Sequence, residues 1–401
     1  MDTALARRRL ALIAFFFLPG FALASWVTRT PAIRDSVQAS IAEMGLILLG
    51  LSFGSMVGVL LSGAIVARHG ARPATKYGLS LIVLSMATLG LGAAAGSQGI
   101  VALGLAFFGL GAGTAEIALN VDGADVERRM GRPFLHSLHG FFSFGTVCGA
   151  LAGLGMTALH VPVAWHLGGV AAICAALILV YLPHLPEGIG QEKPHHSDQP
   201  EAMASLWRDR RLLLIGLIVL AMALAEGSAN DWLPILMVDE YGFSQASGSL
   251  VFLAFASAMT LGRFCGGWFL RRFGRARVMR ACAVLGATGI ALVIFSSSAI
   301  LAGSAVVLWG LGASLGFPVA ISAAGDSGSN PAGRVRVVAI AGYIAFLVGP
   351  PLLGFIGEHY GLRSALIVVL CLVATAAVAA PAVASPAVAS PAVSGRGGHA
   401  H

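Results

Sequence analysis

Charge is scarce in this chain of 401 residues: only 11% are Asp, Glu, Lys or Arg, against about 25% in a soluble domain. A water-soluble fold of this length could not cover itself with so little polar surface, so a free-standing globular protein is excluded. Cysteine is sparse too. Cys148, Cys174, Cys265, Cys282 and Cys371 all fall inside apolar runs, with no Cys-x-x-Cys and no metal-ligand spacing. They read as small buried residues, and neither a disulfide framework nor a metal centre is expected. A phosphate-binding Gly-x-x-x-x-Gly-Lys-Ser/Thr loop is missing, which removes a one-chain ATP-driven pump. Long polar segments are missing as well. The longest, 183–210, spans only about 28 residues, too short for the soluble output domain that a membrane sensor or scaffold carries. An enzyme is not expected, and no cofactor beyond a proton gradient.

Apolar residues make up 57% of the chain and come in blocks of about 20, the length that crosses a hydrocarbon core. The blocks fall at 10–30, 43–67, 74–95, 99–121, 134–157, 162–182, 211–237, 245–270, 277–297, 300–323, 334–357 and 361–381. In lipid each must be a helix, because an unpaired backbone group is too costly there. The 52 glycines suit helices that pack closely in a membrane. The expectation is an all-α integral membrane protein of twelve transmembrane helices.

The formal net charge of +7 does not point to nucleic acid, since no basic stripe is interleaved with aromatics. The cations sit in short loops. With a cytoplasmic N-terminus, 21 Lys and Arg fall on the cytoplasmic side and 3 (Arg29, Arg34, Arg363) on the other, with Arg263 inside span 8. That asymmetry puts both termini in the cytoplasm of an inner, plasma-type membrane. Arg7, Arg8 and Arg9 followed by an apolar run to Ala24 imitate a signal peptide. The run is read as the first span because an internal repeat requires it.

The repeat divides the chain into a six-helix half, 1–182, a linker, 183–210, a second half, 211–381, and a Pro/Ala-rich tail, 382–401, of low complexity. Gly63-Ala-Ile-Val-Ala-Arg68-His-Gly70-Ala-Arg72 between spans 2 and 3 corresponds to Gly267-Trp-Phe-Leu-Arg271-Arg272-Phe-Gly274-Arg275-Ala-Arg277 between spans 8 and 9. Gly109-Leu-Gly-Ala112 with Asp125 corresponds to Gly310-Leu-Gly-Ala313 with Asp326, and Trp26 to Trp232.

The Gly-x-x-x-x-Arg-x-Gly-x-Arg loop, present twice, resembles the signature of the major facilitator superfamily, and the resemblance covers residues 1–381. It implies two pseudo-symmetric bundles that rock about a central site. The acidic residue that this loop usually carries is Ala67 in one half and Arg271 in the other, which removes its usual gate lock. A narrower resemblance to the fucose-permease-like branch of sugar–proton symporters rests on Gly109-Leu-Gly-Ala-Gly-Thr-Ala-Glu116-Ile-Ala-Leu-Asn120, on His139-Gly140 and on Gly262-Arg263-Phe264. It implies proton-coupled movement of a sugar-like solute. The acidic residue that the branch carries in span 1 is absent from residues 10–27.

An ionisable group inside a span is costly, so each is a functional candidate. Glu116 in span 4 is the first choice for proton coupling, and Asn120 shares its face with Gly109 and Gly113. A structural hydrogen bond is its other reading. His136, His139, Ser143 and Thr146 form a polar stripe on span 5, with His139 placed to pair with Glu116. Span 7 carries Glu226, a second proton candidate, with Asn230 and Asp231 as solute contacts; Gly227 and Pro234 suggest a helix break. Trp26 and Trp232 suit an interfacial belt or a stacking surface for a sugar. Arg263 either snorkels or pairs with an acid during gating. Arg68, Arg72 and Arg272 with Asp125 and Asp326 are read as gate contacts. The expected partners are the bilayer and a small polar solute, and the expected state is a monomer. A proton-driven exporter of drugs or metabolites is the alternative; the 8% aromatic content and the polar stripe on span 5 favour the polar solute.

Overall fold

The computed structural model describes residues 3–131, 134–191, 206–328 and 330–384. The expected linker segment 192–205, the tail 385–401 and the side chain of His136 lie outside the described residues. Among the described residues, twelve helices are long and apolar enough to cross a membrane: α1 Thr3–Val27, α2 Ile41–His69, α3 Ala71–Ala95, α4 Gln98–Met130, α5 Leu135–Ala158, α6 Val163–Tyr181, α7 Arg210–Tyr241, α8 Gln245–Phe273, α9 Arg275–Phe295, α10 Ala299–Gly325, α11 Pro331–Tyr360 and α12 Leu362–Ala379. A short helix, Thr30–Ser36, follows α1.

Local signals set the boundaries. Ser40 starts α2 with a reciprocal capping box to Glu43. Gly131 ends α4 in the left-handed conformation, φ 63°. Asp209 starts α7 by accepting from the Arg211 and Leu212 backbone N–H groups at 2.9 and 3.2 Å. Burial alone would raise its pKa, but these bonds and the Arg334 guanidinium outweigh it and hold the carboxyl below its ordinary value.

Three expectations change. α4 runs to Met130 rather than stopping near 121, because its acidic turns find partners: Arg8 of α1 binds Asp122 and Asp125, each at 2.7 Å. α7 is continuous through Gly227 and Pro234. The break lies in α10, at Ser314–Leu315, between Ala299–Ala313 and Gly316–Gly325. Pro318 explains it: proline has no N–H to offer the carbonyl four residues back, which is that of Ser314.

The helix pairs repeat. α1 packs on α5, α2 on α4, α3 on α4 and α3 on α6; in the second half α7 packs on α11, α8 on α10, α9 on α10 and α9 on α12. The halves meet through α2 with α11 and through α5 with α8, which exchange under the same pseudo-twofold. Glycine permits these approaches. A Cβ at Gly109 would lie 2.0 Å from the Leu51 carbonyl oxygen, and one at Gly54 would lie 2.2 Å from that of Ala106.

One end of the bundle, where α1 begins and α12 ends, carries most of the cations. Among the described residues the ion pairs there stay within a half: Arg8–Asp122, Arg72–Glu187, Arg275–Asp326 and Arg334–Asp209. At the opposite end the halves are tied together. Arg34 binds Asp239, Gln245 donates to Asp35 at 3.2 Å, and the Ala42 N–H donates to Glu358 at 3.1 Å. The Ser249 hydroxyl reaches the Thr28 carbonyl at 3.0 Å. The described molecule is therefore closed at the end opposite the cations. Arg34→Ala is expected to loosen that closure. The pair is partly exposed and worth about 1 kcal/mol or less, so the open population should rise about two- to fivefold. Spin labels on the exposed Gln38 and Tyr360 read it as a longer-distance component; an unchanged distance distribution sinks the assignment.

Candidate functional site

The break in α10 has a direct consequence. The freed Ser314 carbonyl accepts from Arg263 Nε of α8 at 3.4 Å. The same guanidinium donates to Glu226 of α7 at 2.8 Å and to the Ser143 hydroxyl of α5 at 3.2 Å. Three elements of the second half and one of the first thus converge on one cation. Glu226 and Arg263 side chains are 17% and 24% exposed, so the pair is sheltered without being sealed. Of the two readings of Arg263, pairing with an acid is what the geometry gives. Thr260 adds a second tie between the halves, donating to the Ser143 carbonyl at 3.2 Å.

Glu116 lies near the middle of α4. It is exposed, on the side of α4 that faces the cleft between the halves rather than lipid. Tyr343 of α11 stands within electrostatic reach of it across the two halves. Among the described residues Glu116 makes no ion pair or hydrogen bond. The expected pairing of Glu116 with His139 is not formed. His139 Nε2 meets Asn120 Oδ1 at 3.1 Å instead, with Phe16 edge-on at 5.2 Å. One turn of α4 separates the two, and the amide is the group at the histidine's depth. Ser143 and Thr146 are both buried, and Thr146 turns to the Ser143 carbonyl at 2.6 Å.

Asn230 is half-buried on the Glu226 face of α7. Asp231 is 6% exposed and has no hydrogen-bond partner among the described residues. Trp26 and Trp232 are each 1% exposed. Neither forms an interfacial belt, and neither presents a stacking face in this conformation. Trp232 instead packs against Gly354 beneath the α2–α11 contact, as part of the closed end.

The gate residues separate. Asp326 meets Arg275 at 2.6 Å. Asp125 turns to Arg8 and to Arg129 of its own helix rather than to the α2–α3 loop. Arg72 binds Glu187, while Arg68 and Arg272 are exposed and make no ion pair among the described residues. Sequence reasoning missed Arg8, Asp122, Tyr343 and Ser314. The Asp122/Asp125 spacing of one turn was a usable signal, and Phe317-Pro318 was the signal for Ser314. Gly312-Ala-Ser314-Leu-Gly316 has the spacing of a hydrolase nucleophile elbow. It lies at a break in a membrane helix, not at a strand-to-helix turn, and its hydroxyl donates to the Leu311 carbonyl at 2.6 Å.

Comparison with known proteins fits this architecture. The chain is similar to an uncharacterized transporter of Sinorhizobium fredii, 30% identical over 365 residues, covering 91% of this chain and 95% of that one. Its fold is that of the nucleoside transporter NupG, with a TM-score of 0.75, 15% identity and coverage of 94% and 99%. The E. coli fucose:proton symporter FucP shares the fold at a TM-score of 0.63, 18% identity and coverage of 94% and 98%. The Major Facilitator Superfamily profile matches residues 11–343 and, in a second stretch, 233–399. The chain is a multi-pass membrane transporter and belongs to the Major Facilitator Superfamily.

Proposed function

We propose that the chain imports a small polar, sugar-like solute together with protons across an inner membrane, by alternating access. The observation that carries this reading is the Arg263 guanidinium, which reaches from Glu226 in one half to Ser143 in the other at mid-depth. Its donors are suited to hydroxyl and carbonyl oxygens, and its tie to Glu226 is one that a proton can break. Protonating Glu226 would release the guanidinium to the solute and loosen the α5–α8 contact in the same step.

Glu116 fits the second half of the coupling. An ionised carboxylate is costly to enclose when the cleft shuts, and a bound proton removes that cost. Asn230 and Asp231, a turn beyond Glu226, are proposed as further polar contacts, and the His139–Asn120 pair as the relay toward the cytoplasm. The excess of cations at one end supports a cytoplasmic assignment for that end, so the described conformation is read as inward-facing. FucP and NupG, by their names, move a sugar and nucleosides, both hydroxylated and polar, which favours this solute class.

The test is proton movement in liposomes holding purified protein, against sugars, sugar acids and amino acids, with Glu116→Gln alongside. Solute-triggered proton uptake by the native chain, lost at least tenfold in Glu116→Gln, is expected. Gradient-driven efflux of hydrophobic cations, with no response to any polar solute, would replace this reading with the exporter. Native-level flux in Glu116→Gln would move the proton site to Glu226.

A further inference from the structure

The start of the linker is folded back against the loop between α2 and α3. The Ala71 N–H donates to the Ile189 carbonyl at 2.7 Å, and Arg72 binds Glu187 at 2.7 Å. Ile189 packs on the small cluster of Val66, Ala71, Ala74 and Ala118. Gly190, at φ 78°, sits where a side chain would strike Val66 and Val121 at under 3 Å. This strap and the two helix ends wall a cavity of about 730 Å³ whose lining includes Arg72, Lys76, Tyr77 and Glu187; Glu187 offsets Arg72, so Lys76 is the cation there with no acidic partner among the described residues. A cavity of about 350 Å³ lined by Arg277, Arg280 and Val284 sits at the start of α9. Lys76 and Arg280 are related by the same offset, 204, that relates Gly70 to Gly274 in the repeated loops. The pseudo-twofold therefore places a cationic cavity at the start of the third helix of each half.

Lys76 and Tyr77 of the first cavity and Arg280 and Val284 of the second are exposed. Above the first, the outer face of α3 continues as Tyr77, Leu84 and Leu91, 58%, 47% and 60% exposed and spaced seven residues apart on one stripe. Above the second, Val284 of α9 is 51% exposed. A ligand that suits this arrangement is anionic at one end and has a long apolar part lying along the helix. A soluble phosphate would use the cations and leave the stripe idle. We infer that these two cavities are binding sites for the headgroups of anionic phospholipids, one per half, with an acyl chain of the first lipid lying on the Tyr77–Leu84–Leu91 stripe. Basic groups at the ends of membrane helices are chemically matched to such headgroups. Neither site belongs to the Glu226–Arg263–Ser143 constellation. The inference stands whether or not the solute is a sugar.

The test uses the full chain, purified in detergent and examined intact by native mass spectrometry after mixing with phosphatidylglycerol or with phosphatidylcholine of the same acyl chains. Lys76 and Arg280 are exposed and outside the transport site, so Lys76→Ala and Arg280→Ala should fold as the native chain does. The native chain is expected to retain two phosphatidylglycerol molecules well above phosphatidylcholine. Each single variant should lose about fivefold in retention of one of them, the double variant should lose both, and Lys76→Arg should keep its lipid. Equal retention of the two lipids, or retention that ignores both substitutions, overturns the proposal. Full displacement of phosphatidylglycerol by millimolar inorganic phosphate also overturns it, in favour of a soluble-anion site.

Discussion

Arg263→Gln is expected to cut solute-driven proton flux at least tenfold while leaving a folded protein. The substitution removes the donors to Glu226 at 2.8 Å, to Ser143 at 3.2 Å and to the Ser314 carbonyl at 3.4 Å. A hydrogen bond to a charged group is worth about 1.5–3 kcal/mol, which corresponds to about 10- to 150-fold in an equilibrium. The pair is partly open to the cleft, so the loss should fall toward the lower end of that range. Glu226 then stands at mid-depth without the cation that balances it. The double variant Arg263→Gln with Glu226→Gln separates the roles. It should regain melting temperature relative to Arg263→Gln, because no unpaired charge is left, and should remain inactive in proteoliposomes. If the double variant transports at the native rate, the ion pair is structural and the mid-depth cation takes no part in coupling.

A larger effect on stability is expected from Gly109→Val. The first carbon of that side chain would fall 2.0 Å from the Leu51 carbonyl oxygen and 2.5 Å from the Ser55 nitrogen. These are backbone atoms of α2 and cannot turn aside, so α2 and α4 must part along their shared face. Lipid supplies no hydrophobic force to hold them together, and close van der Waals packing is most of what they have. A cost of about 3 kcal/mol or more is expected, at the upper end of overpacking. The protein should fail to give a monodisperse peak in detergent. Gly168→Ala is the control: nothing lies within 4 Å of that site, so the change should be neutral or slightly stabilising. A monodisperse, normally melting Gly109→Val would show that the α2–α4 contact tolerates separation.

The parts of this protein that were readable in advance are those governed by composition and spacing. Apolar blocks of about 20 residues admit only helices in lipid, so the span count needed no tertiary information. The loops around Arg68 and Arg271 repeat because the two bundles repeat, and the helix pairing of one half recurs in the other. Glu116, Glu226, Asn120, His139, Ser143 and Arg263 stood out because polar groups in apolar helices are rare enough to count. Boundaries were harder where charge entered a helix. α4 passes its expected end because Arg8, more than a hundred residues away in sequence, binds both Asp122 and Asp125.

Partnership was not readable. Helical periodicity gives the face on which Glu226 or His139 lies, but not which helix the fold brings to that face. Glu116 and His139 were natural partners by depth, yet the histidine meets Asn120. Trp26 and Trp232 matched an interfacial belt by position, yet both are buried, Trp26 edge-on to Phe108 of α4 and Trp232 against Gly354 of α11. By itself the sequence determined the membrane class, the twelve spans, the repeat and the polar residues available for transport, because hydrophobicity and spacing are properties of the chain. The tertiary structure alone decided that Pro318 frees the Ser314 carbonyl for Arg263, that Arg263 joins Glu226 to Ser143 across the halves, and that the closed end is the one held by Arg34, because each depends on distances between helices distant in sequence.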